Sequence, residues 1–174
     1  MSRNRAQIIA QRKKDGSPSK GNYLVQNPEK YIGSYPIIYR SSWEFAFCKF
    51  CDINQNVIKW STEGIEIPYQ IMNNKTQMLE THRYYPDFYV ETVNNNDKET
   101  YNRLVIEIKP KSETEMPVQP KKQTLKMLEN FEYAQMTYKK NLHKWAFTKE
   151  WCEKRNLHFK IITEEWLRSK GLIP

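Results

Sequence analysis

Arg103-Leu104-Val105-Ile106-Glu107-Ile108-Lys109 reads as a β-strand entered from a polar loop, and its reading decides the fold. Side chains on a strand alternate between faces, so Leu104, Ile106 and Ile108 share one face while Val105, Glu107 and Lys109 share the other. A carboxylate and an ammonium therefore stand side by side on an otherwise apolar strand. Burying such a pair is costly unless something nearby offsets the lost hydration, and a metal ion together with a phosphate would do so. The plainer account is a solvated cross-strand ion pair, worth under about 1 kcal/mol.

Two further acids stand in suggestive places. Glu44 lies in the first turn of a helix expected from Ser42 to about Asp52, whose apolar stripe is Trp43, Ala46, Phe47 and Phe50. Its spacing from Ser41 also fits a capping box, in which it would only satisfy backbone donors at the helix start. Asp87 follows Pro86 inside the aromatic run His82-Arg83-Tyr84-Tyr85-Pro86-Asp87-Phe88-Tyr89-Val90. Pro86-Asp87 is also the kind of pair that marks a strand irregularity. One acid in an aromatic strand does little for solubility, and the three sites occur in an order that a single fold would bring together.

Outward from these, Val57 to Trp60 and Ile65 to Met72 read as strands of a hairpin-like pair. Arg83 to Val90 is a third strand and Leu104 to Lys109 a fourth, with Asn94-Asn95-Asn96-Asp97 as the turn between them. Helical periodicity runs from about Gln123 to Arg155 with a break expected near Lys140. Leu157 to Ile162 is a last strand and Glu164 to Lys170 a closing helix. The pattern predicts an α/β core with a mixed sheet flanked by helices. Residues 1–26 are expected to be a basic N-terminal arm, with a short helix over Arg5 to Lys14, and residues 27–174 one domain.

The 174 residues suffice for one domain with a real core. The net charge of +8 is uneven: residues 1–40 carry +6, residues 41–109 carry −3 and residues 110–174 carry +5. A slightly acidic middle between basic flanks suits a metal site gripped by phosphate-binding surfaces, although basic residues also merely solubilise a surface. No apolar run reaches the length of a membrane span and the N-terminus lacks a signal-peptide stretch, so a soluble intracellular protein is expected. Cys48, Cys51 and Cys152 are too few for a disulfide framework; the Cys48/Cys51 pair has C-x-x-C spacing but reads as buried thiols in a helix.

Phosphodiester cleavage needs an activated water and stabilisation of charge on the attacked phosphate. One or two magnesium ions held by two or three carboxylates supply both. Asp87 and Glu107 are the natural pair of ligands, the Ile108 carbonyl an added hard oxygen, and Lys109 lies beside them to orient water or stabilise the phosphorane. Arg40, Lys111, Lys121, Lys122 and Lys144 are candidate phosphate contacts, with a solvated surface as the simpler reading. His82 is a candidate for lining the cleft or a structural histidine. Trp145, Phe147 and Trp151 fit a core stripe.

Pro86-Asp87 with Glu107-Ile108-Lys109 resembles the signature of the PD-(D/E)XK nuclease superfamily, and the surrounding elements look most like its transposon-end branch. Asn27-Pro28-Glu29-Lys30-Tyr31, Tyr39-Arg40-Ser41-Ser42-Trp43-Glu44, Ile67-Pro68-Tyr69 and Glu107-Ile108-Lys109-Pro110-Lys111 are similar to the head completion nucleases of T-even bacteriophages. The resemblance implies a restriction-endonuclease-like core with Glu44, Asp87, Glu107 and Lys109 at catalytic positions. Asp87, Glu107 and Ile108, with Glu44 as a further candidate, would hold magnesium, or manganese in its place, with no small-molecule cofactor. It also implies double-stranded DNA as substrate, phage capsid, portal or neck proteins as partners, and action in the host cytoplasm during virion assembly. Gln135 and Tyr138 are similar to a helical motif of some related nucleases, at a spacing that matches poorly. The competing reading is a non-catalytic protein that uses a nuclease fold to grip DNA ends or the portal.

Overall fold

The computed structural model describes residues 11–12, 18–73, 76–93, 101–122 and 124–174. In chain order the elements are β1 (Gln11–Arg12), β2 (Pro18–Tyr23), β3 (Ile37–Tyr39), α1 (Ser42–Ile53), β4 (Val57–Thr62), β5 (Ile67–Met72), β6 (Leu79–Tyr84), β7 (Phe88–Val93), β8 (Tyr101–Ile108), α2 (Lys111–Thr114), α3 (Leu125–Glu153), β9 (His158–Ile162) and α4 (Glu164–Ser169). The central sheet has the order β4-β7-β8-β9, antiparallel except for the parallel pair β8–β9. It is mixed, as the strand pattern predicts.

Alternation along the strands divides the core in two. Phe88, Val90, Ile106, Ile108 and Ile162 pack with Phe47 of α1 and Leu167 of α4. Val105, from the opposite face of β8, packs with Ile67 and Tyr69 of β5, Tyr84 of β6 and Cys152 of α3. The β5–β6 ribbon and α3 therefore cover the face that carries Glu107.

Several elements depart from expectation. β4 pairs with β7 and β5 with β6, so the predicted hairpin of the Val57 and Ile65 segments does not form. The aromatic run is two strands, β6 and β7, in different sheets, because Pro86 has no N–H to continue a ladder. Helix α3 is continuous over 29 residues with no break at Lys140. Its inward stripe, Asn141, Trp145, Thr148 and Cys152, lies in the second half, and Leu125, Tyr133 and Met136 in the first half are exposed. Gln11 and Arg12, placed by the sequence pattern in a helix, form a strand; the rest of that helix and the Asn94–Asp97 turn fall outside the described residues. Among the described residues no helix is long and apolar enough to cross a membrane.

Helix α1 is rolled about its axis relative to the stripe of its largest side chains. Its buried residues are Phe47, Cys48, Cys51 and Asp52. Asp52 draws that face inward. Its carboxylate accepts hydrogen bonds from the Tyr23 hydroxyl (2.8 Å), Gln26 N–H (2.7 Å), Asn27 N–H (2.9 Å) and the Asn27 side-chain amide (3.2 Å). Lys30 Nζ donates to the Asp52 and Asn54 carbonyls at the end of the same helix. Through β2, which pairs with β3, and Tyr23, which is buried, the segment from Pro18 is fastened to the domain.

Burial alone would raise the Asp52 pKa, but the Gln26 and Asn27 amides and the Tyr23 hydroxyl outweigh it, and the pKa is lowered. The stabilisation is therefore complete above the ordinary carboxylate range and is lost as the pH falls through the folded value. Asp52→Ala is expected to lower stability at neutral pH by roughly 3 kcal/mol, because it strands several buried donors. Urea unfolding of the variant checks this; a loss below about 1 kcal/mol would mean that water replaces the carboxylate at little cost.

Candidate functional site

The antiparallel register of β7 and β8 matches Phe88 with Ile106, so one step further it brings Asp87 opposite Glu107. Ile108 N–H donates to Asp87 Oδ2 at 2.7 Å, and Glu63 N–H donates to the Asp87 carbonyl at 3.1 Å. Pro86 ends the ribbon ladder, and these two bonds fix the acid that follows it. Glu107 is 2% exposed. Its Oε1 lies 3.5 Å from Lys109 Nζ, and its Oε2 is buried with no hydrogen-bond partner among the described residues.

This crowding sets the electrostatics. Burial, then the negative charge of Glu107, raises the Asp87 pKa to about 7; Glu44 adds to the rise, against the Ile108 N–H and Lys109. Burial would lower the Lys109 pKa, but Glu107, Asp87 and Glu113 overcome it, so the ammonium persists. Lys144 enters from α3 with Nζ 4.6 Å from the centre of the Tyr84 ring. Its pKa is lowered by burial first and by Lys109 and Lys140, while Glu107 and Asp87 pull it back. Lys144 thus faces the same pair of acids from the opposite layer, a placement that sequence spacing alone does not show.

The other candidates separate. Glu44 takes part in capping α1: Ser41 Oγ accepts from Glu44 N–H (3.1 Å) and donates to Glu44 Oε1 (2.9 Å), while Arg40 N–H, one residue before the cap, donates to Oε2 (2.7 Å). Both its oxygens are engaged, although its charge reaches Asp87. The Arg40 guanidinium pairs with Glu63, and Lys111 Nζ with Glu165 at 2.7 Å and Glu115 at 3.7 Å. Lys121 and Lys122 are exposed in the loop before α3. His82 is exposed on β6, 3.3 Å from Glu80, with its ring near that of Tyr69. Gln135 and Tyr138 lie in the half of α3 that contributes no buried residue. Cys48, Cys51 and Cys152 are free and buried, and burial raises the pKa of each.

Among the described residues no group of three or more His, Cys, Asp or Glu side chains gathers to hold a metal. The local donor set is Asp87, Glu107 and the Ile108 carbonyl, all hard oxygens. Two adjacent carboxylates, Glu107 buried and Asp87 partly buried, leave one oxygen with no hydrogen-bond partner among the described residues. That suits a divalent ion such as magnesium, which keeps several waters and needs few protein ligands. Tyr84 borders Glu107, and Trp145 adjoins the Tyr84 hydroxyl. The signal for Tyr84 was its place three residues before Asp87; nothing in the sequence pointed from Trp145 to the acids.

The family profile described as TnsA-like endonuclease N terminal matches residues 54–164, which include Asp87, Glu107 and Lys109 but not Glu44. The head completion nuclease of Enterobacteria phage T4 is 34% identical over 152 residues, covering 87% of this chain and 95% of that protein. No solved structure matches the chain.

The raised Asp87 pKa has a definite sign. The folded state holds its proton up to about pH 7 while the unfolded chain releases it near 3.8, so metal-free stability falls as the pH rises between these values. Asp87→Asn keeps an acceptor for Ile108 N–H and removes the charge. In chelator it should be more stable than wild type by roughly 4 kcal/mol at about pH 8, with the gap closing below about pH 4. Thermal unfolding across pH checks this; a gap that does not vary with pH would refute the raised pKa.

Proposed function

We propose that this chain, which belongs to the TnsA-like endonuclease family and has a restriction-endonuclease-like core, is a divalent-metal-dependent endonuclease. Its substrate would be double-stranded DNA, cut during phage head completion in the host cytoplasm. The observation that carries the reading is the Asp87–Glu107 pair, set side by side by the register of β7 and β8, with Glu107 buried and Lys109 beside it. A structural ion pair would match one acid with one base. Here two acids crowd together, at a cost to the folded protein. The similarity to the T4 head completion nuclease supports the biological setting, with capsid, portal or neck proteins as partners.

In this reading Asp87, Glu107 and the Ile108 carbonyl hold magnesium or manganese, which supplies Lewis-acid stabilisation of the phosphate and acidifies a water. Ile108 N–H fixes Asp87 by binding Oδ2. Lys109, kept charged by its acidic neighbours, orients the attacking water and stabilises the negative charge that builds on the phosphate. Lys144 adds positive charge from α3 on the same side of the sheet. Glu44 acts by its charge and by capping α1. Arg40, Lys111, Lys121 and Lys122 are secondary phosphate contacts; Arg40 and Lys111 would have to exchange carboxylate partners for DNA.

Incubating linear and supercoiled DNA with the protein in magnesium, manganese or chelator tests the proposal. Cuts that need the ion and vanish in Asp87→Ala and Glu107→Ala, with both variants folded, are expected. Lys109→Ala should lower turnover by roughly 100-fold or more while DNA affinity changes little, since one phosphate contact is a small part of such an interface. Cleavage that persists in either acid variant would move the active centre elsewhere. Equal DNA binding by all of them with no cleavage would favour a binder of DNA ends or the portal.

A further inference from the structure

Four buried side-chain polar atoms lack a hydrogen-bond partner among the described residues: Trp60 Nε1, Tyr84 Oη, Glu107 Oε2 and Trp145 Nε1. Trp60 belongs to the core on the α1 face. The other three meet on the α3 face. Tyr84 lies against Glu107, and Trp145 adjoins the Tyr84 oxygen. Lys144, next to Trp145 in α3, lies over the Tyr84 ring, which fixes how the helix sits on β6.

The three atoms are chemically complementary. An indole N–H only donates, a carboxylate oxygen only accepts, and a phenol does both. One order satisfies all of them: Trp145 N–H to Tyr84 Oη, and Tyr84 O–H to Glu107 Oε2. We propose that Trp145 and Tyr84 form a donor relay that positions the Glu107 carboxylate for the divalent ion, an inference that rests on the reading of Glu107 as a metal ligand. The three atoms lie close to one another but outside hydrogen-bond geometry, and Oε1 faces Lys109 at 3.5 Å. The relay holds Oε2 on the α3 side and so keeps the carboxylate from turning wholly onto Lys109. Tyr84 and Trp145 are positioning residues: they act through Glu107. Partners of this kind around a metal-ligating group characteristically change affinity by roughly 10–100-fold when removed.

Titration of the full chain with manganese alone, read by the EPR signal of the free ion, tests this without any turnover. Tyr84→Phe keeps the ring beneath Lys144 and removes only the hydroxyl; it should weaken manganese binding by roughly 10–100-fold while the metal-free unfolding midpoint moves little. Trp145→Phe should weaken binding in the same direction, and the double variant should be no weaker than Tyr84→Phe, because the indole acts through the phenol. Trp60→Phe removes the unpartnered indole N–H on the other face and should bind manganese as wild type does. Loss of binding in Glu107→Gln together with wild-type affinity in Tyr84→Phe would overturn the relay and leave the metal site standing. Equal affinity in wild type and Glu107→Gln would overturn both. An equal loss in Trp60→Phe would reduce the effect to general loosening of the core and also overturn the relay.

Discussion

The placement of two carboxylates side by side within the sheet is the constraint on which the rest of the structure turns. Asp87 and Glu107 come into register because β7 and β8 are antiparallel neighbours, and Ile108 N–H locks the first acid to the strand of the second. The sheet is therefore built around a site that costs the folded state free energy when metal-free. The corner at Pro86, the β5–β6 ribbon and the second half of α3 enclose that site on one face. The α1 and α4 face carries much of the apolar packing, including Phe47, Trp60, Phe88 and Leu167. Stability and chemistry are thus largely assigned to opposite sides of one sheet.

What was legible in the sequence follows from the range of each interaction. The alternation that sends Ile106 and Ile108 one way and Val105 and Glu107 the other is local, and the structure reproduces it. The Ser41–Glu44 cap is equally local: Ser41 Oγ accepts from Glu44 N–H, while the Glu44 carboxylate takes Ser41 Oγ–H and the Arg40 N–H in place of the Ser41 N–H. Strand pairing is not local. β4 and β5 are consecutive and both rich in β-formers, yet each finds its partner further along the chain. The run from His82 to Val90 has uniform strand propensity, so only Pro86 marked the change of sheet. In α3 the inward stripe at Asn141, Trp145, Thr148 and Cys152 has helical spacing, whereas the first half exposes its apolar residues. The loss of periodicity between the halves looks like a break, although the backbone continues. The roll of α1 was hidden because a buried aspartate outweighed larger apolar side chains, and its donors lie 25 to 29 residues earlier.

The same distinction applies to the site. Asp87, Glu107 and Lys109 lie on or beside adjacent strands, and a short motif captures them. Lys144 and Tyr84 reach Glu107, and Trp145 reaches Tyr84, through the packing of α3 and the ribbon on the sheet, a tertiary contact with no fixed sequence spacing. The two lysines also differ. The acids hold Lys109 charged, whereas burial and neighbouring cations weaken the hold of Lys144 on its proton. Lys109 is therefore suited to steady charge stabilisation, and Lys144 gains most when a phosphate arrives to offset its desolvation.

Glu44 shows how location and ligation diverge. Its charge raises the Asp87 pKa, which places it within electrostatic reach, yet Ser41 and the Arg40 amide already engage its two oxygens. Direct ligation would have to displace those bonds and uncap α1. A more economical role leaves the cap intact. The carboxylate then adds negative potential toward the acids, increasing the demand for a cation while the position of α1 stays fixed. Glu107 has the opposite arrangement: one oxygen faces an ammonium, and the other has no hydrogen-bond partner among the described residues. Glu44 therefore acts on the pair through its charge, while Asp87 and Glu107 form the pair itself.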